Sequence, residues 1–229
     1  MRLLIEFQKT ERVRHLGLLD MQRTMQRALR RSHLPVQYSK GFNPHMNMSF
    51  ASALSSGIPG DAEILDVSLA EPVDEEEALA ALRGALPAAM PVTRVRLVDD
   101  RFKKMGARLE AAAYVFTLHM DTEEAERLLE AIPRFLSEKE IMALRKSKSA
   151  ERMVDIRPMI FHLEGEKSES GAMLKATVSF TEPATLKPTL LLEALSNYAG
   201  ASVSSTFIRR TGLLGRDESA ALVPLFDMP

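Results

Sequence analysis

Four arginines, Arg23, Arg27, Arg30 and Arg31, are the first residues of this 229-residue chain whose spacing points to chemistry. At about a hundred degrees per residue they fall within one narrow sector of a helix. Leu18, Met21, Met25, Ala28 and Leu29 fall opposite them, so the segment predicts a helix over about 17–32 with one dry face and one cationic face. The stretch that follows, Tyr38-Ser39-Lys40-Gly41-Phe42-Asn43-Pro44-His45, brings two aromatic rings, a lysine, an asparagine, a histidine and a glycine. Cations that neutralise phosphates beside rings that stack on bases are what single-stranded nucleic acid requires of a protein. In this reading Arg23, Arg27, Arg30 and Arg31 contact phosphates, Lys40 and the Gly41 backbone hold the strand, and Tyr38 or Phe42 stacks a base. Asn43 and His45 complete the loop's contacts.

A second basic cluster, Arg145, Lys146, Lys148, Arg152 and Arg157, contains only Glu151 and Asp155 as counter-charges. It is assigned to the same RNA contact, with ordinary solvated surface as the competing explanation for either cluster. The net charge of -1 conceals this segregation. Residues 1–50 hold nine Lys/Arg and three Asp/Glu, and residues 51–100 hold three and ten. His15 and His45 lie in polar, basic surroundings, and an imidazole pair near Lys40 can serve as acid and base on a ribose hydroxyl. The competing assignment makes His15 a helix-preceding residue and His45 a strand start. No histidine pair has helical metal-ligand spacing, and neither a phosphate-binding glycine loop nor a nucleophile elbow is present, so no metal and no cofactor are expected.

The elements that must position these groups follow from hydrophobic period. Residues 2–8 alternate, with Leu3, Ile5 and Phe7 on one side and Arg2, Glu6 and Gln8 on the other, which predicts a half-buried strand. After the basic helix, strands are expected near 46–54, 62–70 and 91–98, with a helix between the last two. Asp74 and Glu77 mark that helix's start. The second half repeats the order: a strand at 111–120, a helix after Asp121 with Pro133 inside it, strands at about 153–164 and 172–181, a helix opened by Pro188 and stopped by Gly200, and a strand at about 201–211. The fold class expected is therefore α+β, two tandem ferredoxin-like (βαββαβ) halves with antiparallel sheets. The halves are placed at 1–100 and 109–215, with a C-terminal tail at 216–229. Both basic loops occupy the connection between a half's first helix and its second strand.

Composition narrows the function. The chain has no cysteine, which excludes disulfides, thiol catalysis and cysteine-held zinc or iron-sulfur clusters within it. No apolar run reaches bilayer length, and Met1 leads directly into strand-like alternation, so a cytoplasmic protein without membrane contact is expected.

The run Arg27-Ala-Leu-Arg-Arg-Ser-His-Leu-Pro-Val-Gln-Tyr-Ser-Lys-Gly-Phe-Asn-Pro-His45, the following Met48-Ser-Phe-Ala51, and Asp155-Ile-Arg-Pro158 resemble the radical-SAM-linked protein family. That resemblance implies a bacterial domain of unknown function, found beside or fused to a radical-SAM protein with a B12-binding-type domain. It brings no established activity. A radical-SAM enzyme needs three thiolates for its cluster, so within such a partnership this chain is an accessory. The tandem arrangement also resembles the CRISPR repeat-processing endoribonucleases and the tRNA pseudouridine synthases in fold. It lacks the synthases' Arg-Thr-Asp motif, and Gly212 and Gly215 make a poor version of the nucleases' glycine-rich loop. The function expected is an RNA-binding accessory that presents structured RNA, tRNA or rRNA, to a separate radical-SAM modifying enzyme. The alternatives are a metal-independent endoribonuclease and a protein adaptor for the radical-SAM partner without RNA binding. Oligomeric state is left open.

Overall fold

The computed structural model describes residues 1–146, 151–181 and 184–229. They form a mixed α/β structure of two compact units, Met1–Leu109 with Gly212–Pro229, and Glu110–Thr211. The segment expected as a tail, 216–229, thus belongs to the first unit.

In the first unit, β1 (Arg2–Lys9) leads through a short 3-10 turn to α1 (Leu18–Arg31). β2 (Met48–Phe50), β3 (Gly60–Ser68), α2 (Glu75–Ala85) and β4 (Val92–Val98) follow. β1 pairs antiparallel with both β3 and β4, and β2 with β3, giving the order β4-β1-β3-β2. Leu3, Ile5 and Phe7 of β1 face the same core as Leu65 and Val67 of β3, and Met21, Met25, Ala28 and Leu29 of α1 complete it with Ala78 and Leu82 of α2. Burying each of the larger of these side chains is worth roughly 1.5–3 kcal/mol, which is what holds α1 in place. Its N-terminal residue Gly17 offers no side-chain cap, and His33, at a φ of 55°, turns the chain away beyond its end. The capping role expected of Asp74 is met: its carboxylate accepts from the backbone N–H groups of Glu76 and Glu77 at 2.9 and 3.0 Å.

Three expectations change here. β1 is not half-buried, because Arg2, Leu4 and Glu6 on its second face are buried as well. That face is covered by residues after β4 and by the chain's last residues, where Leu225, Phe226 and Met228 are buried. The Arg94 guanidinium bridges Glu6 (2.7 Å) and Asp227 (2.6 Å) and lies 4.5 Å from the centre of the Phe226 ring. Hydrogen bonding to Glu6 raises its pKa against the opposing effect of burial. Secondly, the strand expected at 46–54 shortens to three residues, because the chain after Phe50 turns toward Gly57 and Gly60. Thirdly, Leu18 is exposed, although α1 otherwise presents the dry face expected of it.

The second unit runs β5 (Ala111–His119), α3 (Thr122–Ser137), β6 (Met142–Lys146), β7 (Glu151–Asp155), β8 (Ile160–Ser168), β9 (Gly171–Ser179), α4 (Pro188–Ala199) and β10 (Ser205–Arg216). β9 pairs antiparallel with β5 and β8, and β10 follows on the other side of β5. From Gly212 onward β10 belongs to the first unit, where it pairs with β11 (Leu222–Pro224). α3 buries Ala125, Leu128, Ala131, Ile132 and Phe135. It approaches β8 so closely at Gly165 that a side chain there would overlap Leu129 and Leu174. The strand expected at 153–164 is two strands broken by a 3-10 turn, Arg157–Met159, where Pro158 cannot donate to a ladder. Arg145, Lys146 and Arg152 of the second basic cluster lie on a separate two-stranded ladder of β6 and β7.

Candidate nucleic-acid interface

Helix α1 turns Arg23, Arg27, Arg30 and Arg31 to the exterior, as its period requires once Met21, Met25, Ala28 and Leu29 are buried. They are not equivalent. Arg31 donates to the Ala85 carbonyl at 2.6 Å, tying α1 to the end of α2, and Arg23 lies 3.4 Å from Asp20. Arg27 and Arg30 stand exposed with no side-chain partner among the described residues. Arg30 and Arg31 also occupy the helix's last turn, where a cation meets the negative end of the dipole for a gain of about 0.3–1 kcal/mol. That structural gain does not account for Arg27, at the middle of the exposed face.

The loop after α1 is a closed hairpin. Tyr38 and Met46 form an antiparallel bridge, and the Ser39 N–H donates to the His45 carbonyl at 2.8 Å. Ser39 Oγ lies 2.9 Å from His45 Nδ1 and accepts from the His45 N–H at 3.1 Å. Below it, the Asn47 N–H donates to the Gln37 carbonyl, and Val36 bridges to Leu69. Between these closures the tip Lys40-Gly41-Phe42-Asn43-Pro44 is exposed throughout, and Gly41 takes a φ of 132° that L side chains avoid. Phe42 is fully exposed, at 106% of its reference surface. The ring is held out in water on a closed, hydrogen-bonded hairpin, so burial of its apolar surface contributes nothing to the fold. Tyr38, at the hairpin's base, is also exposed.

The two histidines sit in separate local arrangements. His15 Nε2 accepts from Arg14 Nε at 3.2 Å, and its carbonyl accepts from Ser56 Oγ at 2.9 Å. His45 uses Nδ1 on Ser39, and the residue is exposed. His45 is thus bound into the hairpin that carries the tip residues, and no bond joins the two histidines. No group of three His, Asp or Glu side chains suited to a metal ion occurs among the described residues.

In the second unit, Arg145 of β6 stands directly opposite Arg152 of β7. Like charges placed directly opposite each other across a ladder are in themselves destabilising. Lys146 lies 3.8 Å from Glu151, and Lys148 falls outside the described residues. Arg157 has a structural role. Its guanidinium donates to the carbonyls of Leu136 (2.9 Å) and Ile160 (3.3 Å), while Asp155 accepts from the N–H groups of Ile141 and Arg157. The Asp155-Ile-Arg-Pro158 motif therefore fastens the end of α3 to the base of the β6–β7 ladder. Sequence reasoning missed three exposed apolar residues on the β6–β7 ladder, Met142, Leu144 and Met153. The signal was the alternation of Met142 and Leu144 inside a stretch read only for its charge.

The structure defines a mixed α/β protein with an exposed cationic helix face and a projecting aromatic hairpin. Residues 2–188 match the family described as "Uncharacterized protein conserved in bacteria (DUF2344)", and the chain belongs to that family. No curated protein matches it by sequence. Among solved structures it is similar to a chain of the "Crystal Structure of a Cbf5-Nop10-Gar1 Complex", with 13% identity and a TM-score of 0.51. The likeness covers 95% of this chain and 51% of that one, so the chain spans about half the length of its structural relative. At this identity the likeness concerns the fold. No helix among the described residues is long and apolar enough to cross a membrane.

Proposed function

We propose that this protein is a cytoplasmic RNA-binding accessory that presents a structured RNA, such as tRNA or rRNA, to a separate radical-SAM modifying enzyme. The observation that carries the RNA reading is the pairing, in one unit, of an exposed arginine face on α1 with a hydrogen-bonded hairpin whose tip holds Phe42 entirely in solvent. Arg23, Arg27 and Arg30 supply phosphate contacts, Lys40 and Gly41 take the backbone at the tip, and Phe42 stacks a base. Arg145 and Arg152 are the second unit's contribution. The radical-SAM partner rests on the sequence resemblance and the absence of cysteine. Two tandem ferredoxin-like halves are part of the same proposal, supported in the first unit by the antiparallel order β4-β1-β3-β2 with its two helices.

Fluorescence anisotropy with labelled total tRNA tests the RNA reading. Each phosphate contact contributes about 0.7 to 0.9 to the slope of log affinity against log salt. Replacing Arg23, Arg27 and Arg30 by Gln therefore lowers that slope by about 2 to 3, and Arg27→Glu/Arg30→Glu weakens binding further at low salt. An unchanged slope in the triple variant overturns the assignment. Affinity-purifying the tagged protein from its host after nuclease treatment tests the partner: recovery of a radical-SAM protein is expected, and its consistent absence from crosslinked samples removes that half of the proposal.

A further inference from the structure

The second unit holds a groove that the RNA reading does not use. It lies between the C-terminal end of α3, the β6–β7 ladder and α4, with a volume of about 660 Å³. Its apolar side carries Met142, Leu144 and Met153, all exposed, and its rim carries Glu138, Glu140 and Glu193. Tyr198 closes one wall: its ring packs edge-on against the buried Phe135 with centroids 5.3 Å apart, and its hydroxyl donates to Glu138 at 2.7 Å. No lysine or arginine lines the groove among the described residues.

Each half of that description constrains the occupant. Three large apolar side chains left in water, two of them methionines, form a patch that can mould itself to another apolar surface. A nucleic acid is disfavoured at the same place, because its phosphates would meet three carboxylates and, among the described residues that line the groove, no cation. A small neutral ligand leaves the carboxylates unused. The charge pattern fits a segment with leucine-like residues on one face and lysines or arginines beside them.

We infer that this groove is a docking site for a basic amphipathic helix of a protein partner, its apolar face set on Met142, Leu144 and Met153 and its cations set against Glu138, Glu140 and Glu193. Helix-in-groove recognition of this kind draws affinity from the apolar anchors, and the flanking charges set orientation and exclude acidic competitors. The site is separate in residues and in charge sign from the arginine face of α1. The protein thereby has cationic side chains for RNA, on α1 and at Arg145 and Arg152, and a separate acidic, apolar groove for protein.

The chain contains no tryptophan, so the emission of a tryptophan placed in a peptide reports that peptide alone. The test titrates the full-length protein into an 18-residue helical peptide bearing leucines and one tryptophan on one face and lysines on the other. Two controls carry glutamates in place of the lysines, or serines in place of the leucines. The expected result is saturable one-to-one binding of the lysine peptide with a blue-shifted emission, and no saturation with either control. Glu138→Lys/Glu193→Lys should weaken binding at least about tenfold, and Met142→Asp should abolish the blue shift. Because Glu193 is exposed, Glu193→Gln offers a variant with little effect on folding, and it should weaken binding by a smaller factor. Arg27→Glu/Arg30→Glu should leave peptide affinity unchanged, which separates this site from the RNA surface. Equal binding of the lysine and glutamate peptides, or full affinity in Glu138→Lys/Glu193→Lys, overturns the inference. Self-association in sedimentation equilibrium that Met142→Asp abolishes gives the groove to a second copy of the chain and overturns it as well.

Discussion

Replacing Asp66 by Ala removes the counter-charge from one of the most deeply buried cations in the first unit. Asp66 Oδ2 accepts from Arg2 Nη1 at 2.6 Å, and the side chains of the two residues retain only 2% and 3% of their exposure. Asp66 Oδ1 lies 3.3 Å from Lys104 Nζ, which is largely in solvent. After the substitution Arg2 keeps its bond to the Phe102 carbonyl, while Nε, already without a partner, gains none. A buried ion left uncompensated in this way costs about 3–5 kcal/mol. At roughly 2–4 °C per kcal/mol for a chain of this size, the first unit's melting transition falls by about 6–20 °C. Lys104→Ala, by contrast, removes an exposed partner and costs at most about 1 kcal/mol. The discriminating variant is Arg2→Met/Asp66→Leu. It replaces the pair with apolar volume and should recover the wild-type stability or exceed it by about 1–4 kcal/mol. Urea denaturation followed by circular dichroism measures all three. If Asp66→Ala loses less than about 1 kcal/mol, or if the double variant is as unstable as Asp66→Ala, the pair is not an isolated buried ion pair and the reasoning fails.

Phe42→Ala should change stability by no more than about 0.5 kcal/mol, since the ring is wholly in solvent, while photocrosslinking of RNA at the hairpin tip falls sharply. A clear loss of stability would show that the ring packs on something in the fold. The Tyr198 hydroxyl, bonded to Glu138, has its pKa raised above the usual phenol value, chiefly by that hydrogen bond. The bond's contribution is fully present below about pH 10 and is lost as pH rises through the higher folded value. Absorbance at 295 nm should therefore show a phenol that titrates late in the wild type and earlier in Glu138→Gln; identical curves would refute the contact.

Much of the candidate RNA surface was legible in the sequence because helical period is a local property. Once Met21, Met25, Ala28 and Leu29 were read as one face, Arg27 and Arg30 had to point outward whatever the rest of the chain did. The helix start at Asp74 and stop at Gly200 were legible for the same reason, since caps are made within a few residues. The hairpin's composition was visible, but not its closure by Ser39 and His45, which gave His45 a partner that spacing alone did not assign. The bonds of Arg157 to two carbonyls were not legible, because a guanidinium looks the same in sequence whatever it meets.

The second face of β1 marks the limit of local pattern. Alternation separated Leu3, Ile5 and Phe7 from Arg2 and Glu6 and predicted water on the charged side. In the fold, Asp66 reaches Arg2 from β3, Arg94 reaches Glu6 from β4, and Phe226 covers that face from the far end of the chain. A charge can be buried only where distant residues bring it a partner, so its burial is a property of the assembled unit. The chain by itself determined which helix face is dry, which is cationic, and that no thiol chemistry occurs. Tertiary structure decided which cations are held by the protein itself, because only packing fixes whether an arginine has found a carboxylate or carbonyl.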